Sequence, residues 1–212
     1  MFDKLFQITL SLFLLLHLGC ASLNRTAPID GVPIPSERMA EIRSLGENAQ
    51  NLTAQRQEKY ALSLEKTIRQ QTDPLIRREA VLAIANFPGE TTERALRFAM
   101  EDSDKDIRLA VCTAWQTYNR EQSVPALLEM LTKETDLDIR LEVIDILGKM
   151  GDKRAVTAMA EPLGSSDPAL QHYSMAALKK MTGYECDDRK LWLAYCKGEI
   201  ENPEEHLAWN QK

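Results

Sequence analysis

Apolar residues recur along this chain with the spacing of amphipathic helices, and the recurrence itself is periodic. After position 107, further apolar side chains stand four, seven and eight places on, which puts them on one face of a helix. The same pattern returns from position 139. The two stripes consist of Ile107, Val111, Cys112, Ala114 and Trp115, and of Ile139, Val143, Ile144, Ile146 and Leu147. Each stripe predicts a helix with one broad buried face.

An aspartate precedes each of four such segments, at positions 31, 32 and 31 residues apart: Asp73, Asp104, Asp136 and Asp167. A carboxylate in this place accepts hydrogen bonds from the free amides that begin a helix. Pro74 and Pro168 follow two of the aspartates, at the first helical position, where proline costs least. A fixed period in this range indicates stacked repeats.

A second helix is predicted before each of these helices, near residues 53–70 and over residues 91–100, 124–132 and 155–163. We expect turns at residues 87–89, at Gly148 with Gly151, and at residues 164–166. The unit is therefore a helix pair of about 31 residues. Stacking is required because one pair cannot bury its apolar face alone.

The Asp-x-x-Ile-Arg start, followed by small apolar residues, resembles short bacterial HEAT-like repeats over residues 53–183. The resemblance implies an all-α, right-handed α-solenoid of about four helix pairs with terminal caps. In that family the arginines of this motif face aspartates of neighbouring repeats. The resemblance thus predicts a ladder of Asp73, Arg77, Asp104, Arg108, Asp136 and Arg140, whereas Gln171 in the fourth unit suits an end repeat.

The two ends of the array carry candidate caps. Residues 36–52 place Met39, Ile42 and Leu45 at helical spacing, which predicts an N-terminal cap helix. Residues 184–212 form the predicted C-terminal cap and tail, in which Trp192 and Tyr195 share one helical face. A ligand platform is the alternative role for these aromatic side chains.

Residues 1–20 have the pattern of a signal peptide, because the apolar stretch at 5–18 is too short to span a bilayer comfortably. Its end, Gly19 followed by Cys20, resembles a bacterial lipobox, although His17 and Leu18 depart from the usual pattern. The resemblance implies that Cys20 carries acyl chains. A secreted protein cut near Ala21 and an uncleaved anchor are alternatives. Residues 21–35 are proline-rich and predict an extended tether.

Composition narrows the function. The 212 residues carry a net charge of −6, which argues against nucleic acid as a partner because such proteins usually present a basic face. His172 and His206 lack cysteines or carboxylates at metal-ligand spacing. Cys112 lies on a buried stripe, while Cys186 and Cys196 form either a disulfide or free thiols. With no catalytic motif in view, we expect no enzyme activity, no metal and no cofactor.

What remains is a surface for binding. The second helices of successive pairs line one face of such a fold, and outward-pointing apolar residues there predict a groove for a protein partner: Leu82, Leu109, Leu141 and Tyr173. We therefore predict a non-catalytic scaffold or adaptor, exported to the cell envelope, lipid-anchored at Cys20 and facing the periplasm. The alternatives are an enzyme or enzyme subunit resembling the repeat-containing bilin lyases, and a HEAT-like DNA-binding protein resembling the alkylpurine glycosylases.

Overall fold

The computed structural model describes residues 34–118 and 120–207, apart from the side chains at positions 120, 206 and 207. The predicted signal peptide, nearly all of the tether, and the lipid site at Cys20 lie outside the described residues. Across the described residues, no helix combines the length and the apolar character that a membrane crossing requires.

The described residues fold into helices joined by short turns, with no strand among them. The helices are α1 (Pro35–Glu47), α2 (Ala54–Gln70), α3 (Pro74–Ile84), α4 (Glu90–Ala99), α5 (Lys105–Thr117), α6 (Arg120–Lys133), α7 (Leu137–Met150), α8 (Ala160–Gly164), α9 (Pro168–Thr182), α10 (Arg189–Cys196) and α11 (Pro203–Leu207). Short 3₁₀ turns cover Ala49–Asn51, Lys153–Ala155 and Thr157–Met159.

Two layers of helices build the stack. The B layer consists of α1, α3, α5, α7 and α9, each packed on the next, and the A layer consists of α2, α4, α6, α8 and α10. Each A helix from α2 to α8 also packs on the B helix that follows it in the chain. This arrangement is an α-solenoid, which confirms the predicted fold class.

The four aspartates begin the B helices as the sequence predicts. The Asp73 carboxylate accepts a hydrogen bond from the amide of Leu75 at 2.9 Å. Asp104, Asp136 and Asp167 cap α5, α7 and α9 in the same way. These bonds satisfy amides that have no partner inside the helix, and so fix where each B helix starts.

The core lies between the layers and is mostly aliphatic. Both predicted stripes are buried, and Ile107, Ile139 and Ile144 are fully enclosed. Trp115 and Trp192 are the largest of the fully buried side chains. Stacking gives the repeats a continuous apolar core that none of them could form individually.

Gly148 does not mark a turn, contrary to the prediction, because it lies inside α7 where that helix crosses α9. A Cβ atom at Gly148 would lie 2.8 Å from the Cα atom of Ala177. The same close approach occurs at the other end of the B layer, where a Cβ atom at Gly46 would lie 2.9 Å from the Cα atom of Ala83. Gly151 does end α7, with a left-handed φ of 63°.

The fourth pair also departs from the prediction. In place of a helix over residues 155–163, the chain makes two 3₁₀ turns and then the five-residue helix α8. Pro162 has no amide hydrogen for an i−4 bond, so it fits only the first turn of a helix. Helix α8 begins at Ala160 and keeps Pro162 in that first turn.

The ends of the described stack are covered by single helices. Helix α1 packs on α3 in the B layer, and α10 packs on α8 and α9. Trp192 of α10 is fully buried, and its indole Nε1 donates a hydrogen bond to the carbonyl of Cys186 at 2.7 Å. Its burial supports a structural role as a cap and leaves the indole no exposed face for a ligand.

Candidate interaction surfaces

The motif arginines lie along one edge of the stack, where A helices end and B helices begin. Arg77 donates from Nε and from a terminal nitrogen to the two carboxylate oxygens of Asp102, at 3.0 and 3.1 Å. Its third nitrogen donates to the carbonyls of Gln71 and Thr72, both at 3.0 Å. Both members of the ion pair are largely buried. The pair joins the first repeat to the second.

The second repeat uses the same geometry. The Arg108 Nε donates to Glu134 at 2.8 Å, and another nitrogen donates to the carbonyl of Asp102 at 2.8 Å. Burial raises the pKa of Glu134, but hydrogen bonds from Arg108 and from two backbone amides outweigh it and lower the pKa below its ordinary value. Glu134 is therefore held as a carboxylate.

The third arginine is less completely paired. Arg140 contacts Glu161 through one terminal nitrogen at 2.5 Å. Its Nε is buried and has no hydrogen-bond partner in the described structure. Glu161 belongs to the irregular fourth unit, so the carboxylate meets the guanidinium differently from Asp102 and Glu134.

The predicted ladder named the wrong acidic partners for the motif arginines. The motif arginines pair with Asp102, Glu134 and Glu161, and not with the cap aspartates Asp104 and Asp136. The cap carboxylates are already engaged with helix amides. Asp136 does join neighbouring repeats, but through Lys105 at 3.0 Å.

The residue two places before each cap proves to be a second repeated element. Its side chain accepts a hydrogen bond from the amide of the cap aspartate in every unit: Gln71, Asp102, Glu134 and Ser165. Gln171 replaces the arginine in the fourth unit and still donates to the Ser165 carbonyl, at 2.6 Å. The recurring polar character at this position was a sequence signal for these contacts.

Clefts open along the same edge between successive A helices, one beside each motif arginine. Their volumes are about 460 Å³ at Arg77, 350 Å³ at Arg108 and 470 Å³ at Arg140. Neighbouring clefts share lining residues, namely Glu101 and Asp102 between the first two and Glu134 between the last two. Both charge signs line them, so the clefts have no strong preference for anions or cations.

The predicted partner-binding residues lie in the B layer, but they do not share one repeat position. Leu109 and Leu141 each lie five residues after their cap aspartate, whereas Leu82 lies nine after its own and Tyr173 six. The three leucines are half-buried against the core, and Tyr173 is 40% exposed. The structure thus gives a staggered row of partly exposed apolar side chains on successive helices.

The described residues contain no group of His, Cys, Asp and Glu side chains that fits a metal ion. Cys112, Cys186 and Cys196 are buried free thiols, so the structure has no disulfide in the C-terminal cap. Burial raises the pKa of Cys112 to about 12 and that of Cys196 to about 11, which disfavours the reactive thiolate. His172 is exposed beside Tyr173.

Comparison with known proteins agrees with this architecture. Residues 61–143 match the family model for HEAT repeats. No curated protein matches the chain. Among solved structures, an engineered protein is 19% identical with a TM-score of 0.41, over 71% of this chain and 75% of that one. Residues 61–143 thus match HEAT repeats, and the observed helix pairs are consistent with a HEAT-like repeat protein.

Proposed function

We propose that the protein is a non-catalytic scaffold or adaptor that docks a protein partner on its B layer. HEAT repeats usually mediate protein binding, which supports a protein partner in general terms. One observation supports docking on the B layer in particular. Four successive B helices present a row of apolar side chains, which are the half-buried Leu82, Leu109 and Leu141 and the exposed Tyr173. Partly exposed apolar side chains spread over several repeats suit an extended partner better than a small ligand.

The cell envelope is the proposed location. The signal-peptide pattern of residues 1–20 and the lipobox-like Gly19 and Cys20 support export and acylation. An acyl anchor keeps the repeat array close to membrane-bound partners and raises its effective concentration there.

In-cell crosslinking of the tagged full-length chain tests the B-layer surface. Thr113→Lys places a charge at an exposed position one helix turn after Leu109, and Tyr173→Lys replaces an exposed member of the row by a charge. We expect the partner captured by the native chain to be lost from both variants. The matched control, Leu75→Lys, alters an even more exposed apolar residue near the start of α3 and should leave capture unchanged. Equal capture by all four proteins would contradict docking on the B layer.

Cys20→Ala tests the anchor separately. We expect this variant to leave the membrane fraction while keeping its B-layer contacts in solution. A Cys20→Ala protein that fractionates exactly as the native chain does would contradict lipid attachment at this residue.

A further inference from the structure

The outer face of α2 carries a row of cations that make no ion pair with the other described residues. Arg56, Lys59 and Lys66 are exposed and have neither an ion pair nor a side-chain hydrogen bond among the described residues. At 3.6 residues per turn they fall within about 80° of the helix circumference, over about 15 Å of its length. Leu62 lies beside them and is 48% exposed.

The acidic residues of α2 are already engaged. Glu65 accepts hydrogen bonds from Arg94 at 2.9 and 2.8 Å and from Arg69 at 3.1 Å, and Glu58 accepts one from the Thr91 hydroxyl at 2.9 Å. None of these contacts reaches the three exposed cations. Glu58 has no ion pair among the described residues, but the three exposed cations outnumber it, so the outer face of α2 is locally positive in a chain whose net charge is −6.

Neighbouring A helices present their cations differently. Arg97 of α4 pairs with Glu129 of α6 at 2.5 Å, and Lys133 pairs with the same carboxylate at 2.8 Å. Lys133 also lies 3.9 Å from the carboxylate of Glu101, so two acids balance these two cations within the protein. Among the described A-layer cations with neither an ion pair nor a side-chain hydrogen bond, Arg56, Lys59 and Lys66 lie together on α2, whereas Lys190 lies on α10. The patch is therefore a feature of one helix and not of the repeat.

We propose that the outer face of α2 binds the anionic headgroups of a phospholipid surface. Exposed Lys and Arg side chains are attracted to the phosphates of anionic lipid, and the exposed leucine beside them adds an apolar contact with the membrane interface. None of the cavities described along the array's edge is lined by Arg56, Lys59 or Lys66, which favours an extended surface over a single bound ligand.

This contact goes beyond the proposed docking of a protein, because it uses the A layer and leaves the B layer free. A basic patch supplements an acyl anchor, since two weak attachments hold a protein on a membrane far better than one. The patch is nevertheless separable from the anchor, because acyl chains enter neutral and anionic bilayers alike whereas cations respond only to anionic lipid.

Vesicle flotation of the full chain, as isolated from cells, measures how much more strongly it binds anionic than neutral lipid. Neutral phosphatidylcholine vesicles are compared with vesicles that also contain phosphatidylglycerol, at low and high salt. We expect the native chain to prefer anionic vesicles, with the preference lost at high salt. At about 1 kcal/mol for each basic residue, Lys59→Gln with Lys66→Gln should weaken binding to anionic vesicles about 30-fold. Binding to neutral vesicles should not change.

The matched control removes the same charge elsewhere. Lys190 and Lys197 are exposed on and after α10 and lack ion pairs, so Lys190→Gln with Lys197→Gln should keep the anionic preference. Acylation of lysines by an amine reagent gives a second readout, in which anionic vesicles should protect Lys59 and Lys66 of the native chain. If these lysines stay fully reactive on anionic vesicles, or if both double variants behave alike, the proposal is wrong. If anionic vesicles give no protection, but Lys59→Gln with Lys66→Gln no longer captures an acidic protein that the native chain captures by crosslinking, the patch binds that protein and not lipid.

Discussion

Single small side chains set the spacing of the B layer. Gly46 meets Ala83 and Gly148 meets Ala177, each at a distance that leaves no room for another carbon atom. Because the helices pack so closely at these points, adding one methyl group forces the neighbouring backbone to move. The two glycines stand in the first and fourth B helices, so they fix the crossings nearest the ends of the array.

Replacing Gly148 by alanine therefore destabilises the protein, even though alanine is the better helix former. We expect a loss of about 1–3 kcal/mol in the free energy of unfolding, since the neighbour of the new methyl group is the α9 backbone. Urea denaturation followed by circular dichroism measures it. Gly164→Ala is the control, because its Cβ atom would meet only a Leu193 methyl group at 3.9 Å. Equal stability of the two variants would show that α7 and α9 separate at no cost.

Adjacent arginines provide a second test at the residue scale. Arg77 makes two bonds to Asp102 and two to backbone carbonyls, whereas Arg78 is exposed and makes none. Arg77→Lys loses the planar fork and should cost about 1–3 kcal/mol in the free energy of unfolding. Arg78→Lys should change it by less than about 0.5 kcal/mol. Thermal or urea melts of the two variants should differ clearly, and coincident melts would contradict a structural role for this contact.

Pairs of elements are joined by carboxylates whose ionisation the fold favours. The hydrogen bond from Arg94 lowers the pKa of Glu65 most; Arg69 also lowers it, while burial works in the opposite direction. The contact with Arg94 joins α2 to α4, whereas Arg69 lies on α2 itself. A carboxylate with a lowered pKa stabilises the folded state above its ordinary pKa and loses that effect as pH falls through the folded value.

The stability difference between native protein and Glu65→Gln should therefore be full near pH 7 and shrink progressively below about pH 4.5. Urea melts at several pH values measure it. Glu199→Gln changes an exposed carboxylate without an ion pair and should follow the native curve throughout. A difference that stays constant between pH 7 and pH 3 would show that Glu65 acts by shape and not by charge.

Local chemistry explains which elements the sequence predicts well. The cap aspartates, Pro74 and Pro168 act within one helix turn, so the starts of the B helices follow from short-range rules. The partners of Arg77 and Arg108 depend on how side chains align across neighbouring repeats, which the period alone does not specify. Gly148 reads as a turn residue for the same reason, because the helix crossing that requires it is formed by a segment about 30 residues away.

The candidate site shows the same limit. The period predicts that outward apolar residues recur on B helices, but the rotation of each helix decides which positions are exposed. Leu109 and Leu141 keep a common position, while Leu82 and Tyr173 do not. The basic face of α2 depends on which carboxylates the neighbouring helix α4 engages, so it emerges only from the folded arrangement.

At the scale of the molecule, the helix pairs of residues 35–207 form a one-dimensional stack, so the ends of this stack should open before its centre. Each helix pair contacts only its neighbours, and opening an end therefore breaks fewer contacts than opening the middle. Three buried thiols report on two places in this stack: Cys112 in the central helix α5, and Cys186 and Cys196 in the C-terminal cap. Their labelling by a thiol reagent measures the local opening of each place.

Trp192→Ala should open the cap selectively. Removing a fully buried indole, and with it the hydrogen bond to Cys186, costs about 3–5 kcal/mol in a cap helix that packs on α8, α9, α11 and the 3₁₀ turn at Thr157–Met159. We expect faster labelling of Cys186 and Cys196 with Cys112 unchanged, resolved by mass spectrometry of the labelled peptides. Phe98→Ala, an exposed aromatic residue on α4, is the control and should alter neither rate. If Cys112 accelerates in step with the cap thiols, the stack unfolds as one cooperative unit, and the caps contribute to the stability of every repeat.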